Sequence, residues 1–182
     1  AEVKAAELVE LLDASEVGVI ALPEYVGPEN IARLIRPGDV VFLCVDNHPT
    51  RRLVSEHCER LPDVALFSGG NDGVEPPDRR GTYGNAQVFV RQTGVNLTLP
   101  LTQLHPEIRR ATGDLPGGPN CGQLAQSSPQ ILFANLAVAS HLLNTFYGWS
   151  CGELRYHEVQ FDILEGRAVP CLPLSDESAH SA

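Results

Sequence analysis

The residues of this chain with the clearest chemical potential lie between positions 40 and 54, where six apolar residues run directly into an aspartate and an asparagine. A continuous apolar run of this length predicts a strand that is buried on both faces. Asp46 follows it at the edge where open parallel sheets bind ligands, and its carboxylate could hold a cation or a ribose hydroxyl. Arg51 could bind phosphate oxygens. The alternative is that Asp46 only caps the next helix, while Arg51 and Arg52 are solvated.

Cysteine chemistry is a second possibility. Cys121 lies in the glycine-rich stretch 117–122, ahead of a long apolar segment. A helix N-terminus lowers the pKa of a thiol because it favours the thiolate, which is the nucleophilic form. Cys121 is therefore a candidate nucleophile, and the alternative is an unreactive loop cysteine. Cys44, in the predicted strand, and Cys58, on an apolar helix face, are interpreted as core residues.

Three histidines are candidate functional groups. His105 could act as a general base or a metal ligand, but it has no partner at ligand spacing, which favours a solvated histidine at a helix start. His48 directly follows the Asp-Asn pair and is expected to line the same site. His141 lies in an apolar helix and is interpreted as a core or interface histidine.

The elements that would position these side chains alternate between helix and strand in the first half of the chain. Amphipathic patterns predict helices, and short apolar runs predict strands. The predicted order is helix, strand, helix, strand, helix, strand over residues 2–13, 17–22, 28–35, 40–45, 49–61 and 64–67. Right-handed crossovers between such strands produce a parallel sheet.

The second half has a different character. Residues 68–84 and 93–126 are predicted as loops, the second long enough to indicate a functional role. Strands are predicted at 86–91 and 154–164, a very apolar helix at 129–147 and a flexible tail at 172–182. The fold class is therefore predicted as α/β, a single domain over 1–182, with a Rossmann-like parallel sheet, helices on both faces and additional antiparallel strands in the C-terminal half.

The composition limits the kinds of partner that the protein can bind. The 182 residues carry a formal net charge of -10, which argues against a general nucleic-acid surface or an anionic membrane surface. No apolar run approaches the roughly 20 residues of a membrane span, and no signal peptide opens the chain. Five irregularly spaced cysteines do not form a disulfide framework. A cytoplasmic protein with reduced thiols is expected.

The order of several residues resembles that of the ThiF/MoeB-type E1-like activating enzymes. That family has a lysine at a helix start and, further on, an apolar strand ending in Asp-Asn. An arginine follows four residues after the asparagine, and a cysteine seven residues after the arginine. Lys4, Asp46, Asn47, Arg51 and Cys58 match this order and local spacing.

Two further segments share the resemblance. The glycine-rich residues 68–73, followed by 84–88, resemble the family's next loop and strand. Cys121 resembles the active-site cysteine of the family in its order along the chain.

The resemblance implies an enzyme that uses ATP to adenylate the C-terminal carboxylate of a small β-grasp protein, either ubiquitin-like or a sulfur carrier. Asp46 would hold Mg2+, Lys4 and Arg51 would contact the triphosphate, and Asn47 would orient the nucleotide. Cys121 could attack the adenylate to give a thioester, or react with a thiocarboxylate to give a persulfide. The alternative for Lys4 is a solvated helix lysine. A homodimer is expected, with the apolar helix 129–147 at its interface.

The chain also departs from the family pattern. The phosphate-binding glycine loop and the ribose-binding acidic residue would lie upstream of Ala1, so this chain alone is expected to bind ATP poorly. The paired Cys-x-x-Cys ligands are missing, and only Cys121, Cys151 and Cys171 occupy that half, which argues against zinc. Two other functions therefore stay open: a degenerate E1-like binding or dimerisation module without catalysis, and a nicotinamide-dependent oxidoreductase.

Overall fold

A computed structural model describes residues 18–75, 77, 79–113, 115 and 131–171 of the chain. Its core is a six-stranded mixed sheet with helices on both faces. The elements are, in chain order, α1 Ile31–Leu34, β1 Val40–Leu43, α2 His48–Cys58, β2 Val64–Asn71, β3 Val74–Glu75, β4 Arg79–Arg80, β5 Tyr83–Gln92, β6 Val95–Asn96, α3 Leu101–Leu104, α4 Pro106–Arg110, α5 Leu132–Ser150, β7 Glu158–Asp162 and β8 Arg167–Cys171.

The main sheet joins a parallel pair to an antiparallel extension. Its strand order is β1-β2-β5-β7-β8, and β6 pairs with the far end of β5. β1 and β2 are parallel, with Val40 opposite Ala65, whereas β5, β7 and β8 each run antiparallel to the preceding neighbour. β3 and β4 form a separate two-stranded sheet. The predicted fold class is confirmed: an α/β sheet of Rossmann-like type, extended by antiparallel strands in the C-terminal half.

Alternation along β2 and β5 divides the core into two layers. Side chains of a strand point to opposite faces in turn. Leu66 and Phe89 therefore pack on one face with residues of α1, α2, α3 and α4. Phe67 and Val88 pack on the other face, against α5. The central strands β2 and β5 are thus covered on both faces.

The strand predicted to be buried on both faces is β1, and that prediction is wrong. β1 is an edge strand of the described sheet, and Val40 and Phe42 are each 42% exposed.

Aromatic contacts fix the C-terminal half of α5 on the sheet. The ring of Phe67 lies 5.2 Å from Phe42, 5.7 Å from Phe146 and 5.7 Å from Trp149 between centroids. Offset and edge-to-face pairs at such distances contribute roughly 0.5–1.5 kcal/mol each beyond area burial. The opposite side of α5 is exposed and apolar, with Leu132, Phe133, Leu136, Leu143 and Tyr147. Over the described residues, no helix has both the length and the apolarity that crossing a bilayer requires.

The predicted strand at 17–22 is wrong over its described part, 18–22, which has no regular structure. Ile20 and Leu22 are exposed there. A short apolar run becomes a strand only where a neighbour accepts its backbone hydrogen bonds, and this run has no partner among the described strands. The predicted helix 2–13 and tail 172–182 lie outside the described residues.

The predicted loop 68–84 is also wrong at its start, because β2 continues through Gly69 and Gly70 to Asn71. Glycine is required at both positions because side chains of neighbouring elements lie very close to the strand on its opposite faces. A methyl group at Gly69 would lie 2.5 Å from Cγ1 of Val138 in α5, and one at Gly70 would lie 2.9 Å from Nη2 of Arg51. Glycine here permits tight packing of a strand rather than a turn.

The segment 93–126, predicted as one long loop, contains β6, α3 and α4 in its described part. The helices have four and five residues, too few for a 3.6-residue period to appear in the sequence. The strand predicted over 154–164 is shorter, since β7 covers Glu158–Asp162.

Gly69→Ala should destabilise the protein, because its methyl group would overlap Val138 and Leu142 of α5. Overpacking of this kind costs roughly 1–3 kcal/mol. Gly148→Ala in α5 is the control, since its methyl group would meet nothing within 4 Å and should stabilise the helix by roughly 0.5–1 kcal/mol. Urea unfolding measures both, and a Gly69→Ala protein as stable as the wild type would contradict this packing.

Candidate functional site

A polar pocket of about 620 Å³ lies at the edge where β1 and β2 end and β5 begins. Its volume is within the usual range for small-molecule sites, and its position is where open α/β sheets bind ligands. The lining residues come from the ends of these strands, from the start of α2 and from the α3–α4 region. They include Cys44, Asp46, His48, Arg51, Gly69, Gly70, Asn71, Asp72, Tyr83, Asn85, Gln87, His105 and Glu107.

Asp46 and Asn47 lie between β1 and α2, and they have different roles. The side chain of Asn47 accepts a hydrogen bond from the backbone N–H of Thr50 at 2.9 Å, so Asn47 caps the helix, with Pro49 in the first turn. Asp46 is exposed and lines the pocket. The alternative in which Asp46 only caps α2 is therefore wrong, because its neighbour supplies the cap.

Arg51 is held at the base of the pocket by backbone carbonyl groups. Its Nε and Nη2 donate to the oxygen of Val45 at 3.2 and 2.8 Å, and Nη2 also donates to the oxygen of Gly69 at 2.7 Å. Burial lowers the pKa of Arg51. The guanidinium lies against Gly70 and ties the ends of β1 and β2 together. Arg52, by contrast, is exposed and pairs with Glu56 at 2.8 Å, as the solvated alternative predicted.

Two of three other residues, Cys44 and His48, line the pocket, and the third, Cys58, is buried in the core. Cys44 was expected in the core but is exposed and lines the pocket, because β1 already ends at Leu43. Cys58 is buried as expected, and burial raises the pKa of its thiol to about 12. His48 lines the pocket as expected, and burial lowers its pKa, with a further contribution from the charge of Arg51.

His105 joins a cluster of carboxylates that the sequence interpretation did not find. Its Nε2 lies 2.7 Å from Oε1 of Glu158 on β7, and its Nδ1 lies 2.8 Å from Oε1 of Glu107 on α4. The side chain of Glu158 is only 3% exposed. His105 directly precedes α4, so the expected helix start is confirmed. The expectation of a solvated side chain is wrong, because the buried Glu158 on β7 lies beside the ring.

Glu158 is kept ionised by several donors. Its Oε1 also accepts from Asn85 at 2.8 Å and from Gln87 at 3.3 Å, and its Oε2 accepts from Gln160 at 3.1 Å. Burial acts to raise the pKa of Glu158, but the hydrogen bond and charge of His105, with the hydrogen bonds of Gln160 and Gln87, outweigh it, so the pKa is lowered. In the sequence, polar and apolar residues alternate along β5, and this alternation could have predicted the polar face of the sheet.

The pKa of His105 is raised by the same contacts. Burial acts to lower it, but the hydrogen bonds and charges of Glu158 and Glu107 have the larger combined effect. With a carboxylate on each ring nitrogen, the imidazolium form donates both of its N–H groups. His105, with a carboxylate oxygen beside each ring nitrogen, therefore forms part of the pocket wall.

The remaining predicted site residues, Lys4 and Cys121, lie outside the described residues. Among the residues that the structure describes, no group of three or more metal-ligating side chains could hold a metal ion alone. The structure thus brings Asp46 and Arg51 to one pocket, with Asn47 as a cap beside it.

A polar pocket at the strand ends of a two-faced α/β sheet is typical of proteins that bind phosphorylated or other small polar ligands. The chain belongs to the ThiF family, whose family model matches residues 1–177. No curated protein and no solved structure gave a significant match. Membership supports an E1-like activating-enzyme kind of function, related to nucleotide-binding adenylyltransferases. ThiF-family proteins typically work with ubiquitin-like or sulfur-carrier proteins.

Arg51→Lys should destabilise the protein by about 1.5–3 kcal/mol, because an ammonium cannot reproduce the planar fork that binds the carbonyls of Val45 and Gly69. Arg52→Lys is the matched control on the exposed face of α2 and should stay within about 0.5 kcal/mol of the wild type. Chemical denaturation of both variants measures the difference. Equal stabilities would mean that Arg51 does not join the strand ends.

The raised pKa of His105 predicts a pH-dependent stability. The imidazolium contributes stability that is fully present below about 6.5, its ordinary pKa, and is lost as the pH rises through the higher folded-state pKa. The stability difference between wild type and His105→Gln should therefore shrink from about pH 6 to pH 9. His48, His141 and His157, whose pKa values are lowered by burial, act in the opposite sense but are common to both proteins.

Urea titrations at a series of pH values measure this difference, and NMR titration of the His105 ring gives its pKa directly. A pKa at or below the ordinary value, or a difference that grows towards alkaline pH, would disagree with the two carboxylate contacts.

Proposed function

We propose that the protein adenylates the C-terminal carboxylate of a small β-grasp protein, ubiquitin-like or a sulfur carrier, using ATP. In this reaction a carboxylate oxygen attacks the α-phosphorus, the bond from that phosphorus to the bridging oxygen breaks, and pyrophosphate leaves. The observation that carries the proposal is that Asp46 and Arg51 line one pocket at the strand ends of a ThiF-family fold.

The charges of the pocket favour ATP as its magnesium complex. Asp46, Asp72 and Glu107 line it together with Arg51, so a free triphosphate would meet more negative than positive side chains. Mg2+ is commonly bound by one or two carboxylates, with substrate phosphates and water completing the octahedron. The exposed carboxylate of Asp46 fits that role. The ion would neutralise charge that develops on the phosphate oxygens.

Arg51 can contribute without leaving its carbonyl partners. Its described hydrogen bonds use Nε and Nη2, which leaves the N–H groups of Nη1 available for a phosphate oxygen. Because the guanidinium is fixed before the ligand arrives, little conformational entropy is lost on binding. On the family resemblance alone, we assign Lys4 a triphosphate contact. On the same basis, the Cys121 thiolate attacks the acyl carbon of the adenylate, which forms a thioester and releases AMP.

The carrier tail would enter the pocket from the side of β5 and α4. An extended chain is bound through main-chain hydrogen bonds, and this side offers the polar groups of Tyr83, Asn85 and Gln87. The homodimer expected from the sequence stays a prediction, and the exposed apolar side of α5 marks the surface that it would use.

Asp46→Ala should reduce ATP–pyrophosphate exchange by about a hundredfold or more. Without this carboxylate the pocket would hold Mg2+ less well, so the negative charge of the leaving pyrophosphate would be neutralised less. The assay uses the full-length protein with radiolabelled pyrophosphate and small β-grasp carrier proteins added in turn. Glu165→Ala, which removes an exposed carboxylate from the β7–β8 turn, is the charge-matched control and should exchange at the wild-type rate.

Absence of ATP-dependent exchange with every carrier, or unchanged exchange in Asp46→Ala, would reject the proposal. Calorimetry with ATP and Mg2+ then distinguishes the non-catalytic alternative. A degenerate binding or dimerisation module would give no heat of nucleotide binding, whereas an inactive variant of an activating enzyme would still bind.

A further inference from the structure

The two carboxylates that hold His105 differ in their freedom to move. Glu158 is 3% exposed and accepts hydrogen bonds from Asn85, Gln87 and Gln160 in addition to His105. Glu107 is 56% exposed, and its described side-chain hydrogen bond is the one to His105. Glu158 is therefore a fixed partner of the imidazole, whereas Glu107 can rotate into solvent at little cost.

When Glu107 rotates away, Nδ1–H of His105 becomes available to the pocket. The ring keeps its orientation because Nε2 stays bound to Glu158 at 2.7 Å. The ion pair with Glu158 also favours the imidazolium form, so Nδ1 remains a charged donor. Such a donor binds an anion more strongly than a neutral one does. The geometry at Nδ1 accepts a carboxylate, since the Glu107 carboxylate already occupies it at 2.8 Å.

Two residues that line the pocket each have a buried polar atom without a hydrogen-bond partner among the described residues. The two atoms are Oε1 of Gln87, in a side chain that is 1% exposed, and Nδ2 of Asn71. Both residues line the pocket with His105. A buried polar atom without a partner costs about 1–3 kcal/mol, which a bound ligand would recover. One atom is an acceptor and the other a donor, the two functions that a peptide backbone complements with its N–H and C=O groups.

We propose that His105 is the binding residue for the terminal carboxylate of an extended polypeptide tail, with Gln87 and Asn71 pairing with the backbone amides that precede it. In the free protein, Glu107 occupies the position of that carboxylate. The inference rests on the proposed function, whose substrate it describes, and it assigns tail recognition to residues outside the Asp-Asn segment.

The charge around His105 favours a carboxylate over a phosphate group. A carboxylate that displaces Glu107 replaces one negative charge with another at Nδ1. A phosphate or pyrophosphate would bring additional negative charge next to Glu158, in a pocket that Asp46 and Asp72 also line. Unscreened like charges at such short range are costly in a partly buried site. The two anions can therefore be separated by experiment.

The test is an NMR titration of the His105 ring at about pH 6, where the imidazolium is populated. The probe is N-acetylglycylglycine, the shortest mimic of an extended chain end, and its C-terminal amide and inorganic pyrophosphate are the comparison ligands. We expect the free acid to shift the His105 Cε1–H resonance saturably, and the amide and pyrophosphate to bind at least tenfold more weakly at this position.

Two variants separate recognition from folding. His105→Gln removes the charged donor and should weaken binding of the free acid by about tenfold or more, followed on backbone amide resonances of β5. Glu107→Ala keeps the buried His105–Glu158 pair intact and removes the competing carboxylate, so it should tighten binding several-fold. Asp72→Asn is the control for general charge, because it removes a carboxylate from the same pocket. It should tighten binding by less than Glu107→Ala does.

Equal binding of acid and amide, preferential binding of pyrophosphate at His105, or weaker binding in Glu107→Ala would overturn the inference. These outcomes are independent of adenylation, because the titration contains no ATP. Failure here, with normal pyrophosphate exchange, would locate tail recognition elsewhere. Success here, with no exchange, would show that the pocket binds chain ends without activating them.

Discussion

The rest of the structure depends on the close approach of Arg51 to the end of β2. Its guanidinium binds the carbonyl of Gly69 and lies against the Cα of Gly70, while the same strand packs directly on α5 through the other face of Gly69. Side chains at these two positions would separate the helix from the sheet on one face and displace the cation on the other. Two adjacent glycines thus allow one strand to support both a packed core and a charged pocket.

This arrangement fixes the pocket before any ligand binds. The carbonyl of Val45 at the end of β1 and that of Gly69 on β2 share one guanidinium, so the parallel strands are joined where their hydrogen-bonded ladder stops. Asn47 caps α2 beside them and leaves Asp46 free. In the proposed function, a preorganised cation and an exposed carboxylate in one pocket would stabilise charge that develops on phosphate oxygens.

The antiparallel half of the sheet supplies a different chemistry to the same pocket. Gln87 and Glu158 lie opposite each other on β5 and β7, and both carry polar side chains on a face that further along holds the buried Phe89. The polar part of that face lies beside His105. Under the proposed function, the side of the pocket with Asp46 and Arg51 would bind the phosphorylated ligand, and the side with His105 would bind the polypeptide end.

The sequence by itself determined the α/β class, a strand shortly before the Asp-Asn pair, and the pocket position of Asp46 and Arg51. These depend on local hydrophobic pattern and on residues within one helical turn. Tertiary structure decided the continuation of β2 through its glycines and the environment of His105. A glycine required by a neighbouring helix looks like a turn glycine in sequence. A histidine whose buried partner lies 53 residues away carries no local signal, because the two residues meet only in the folded chain.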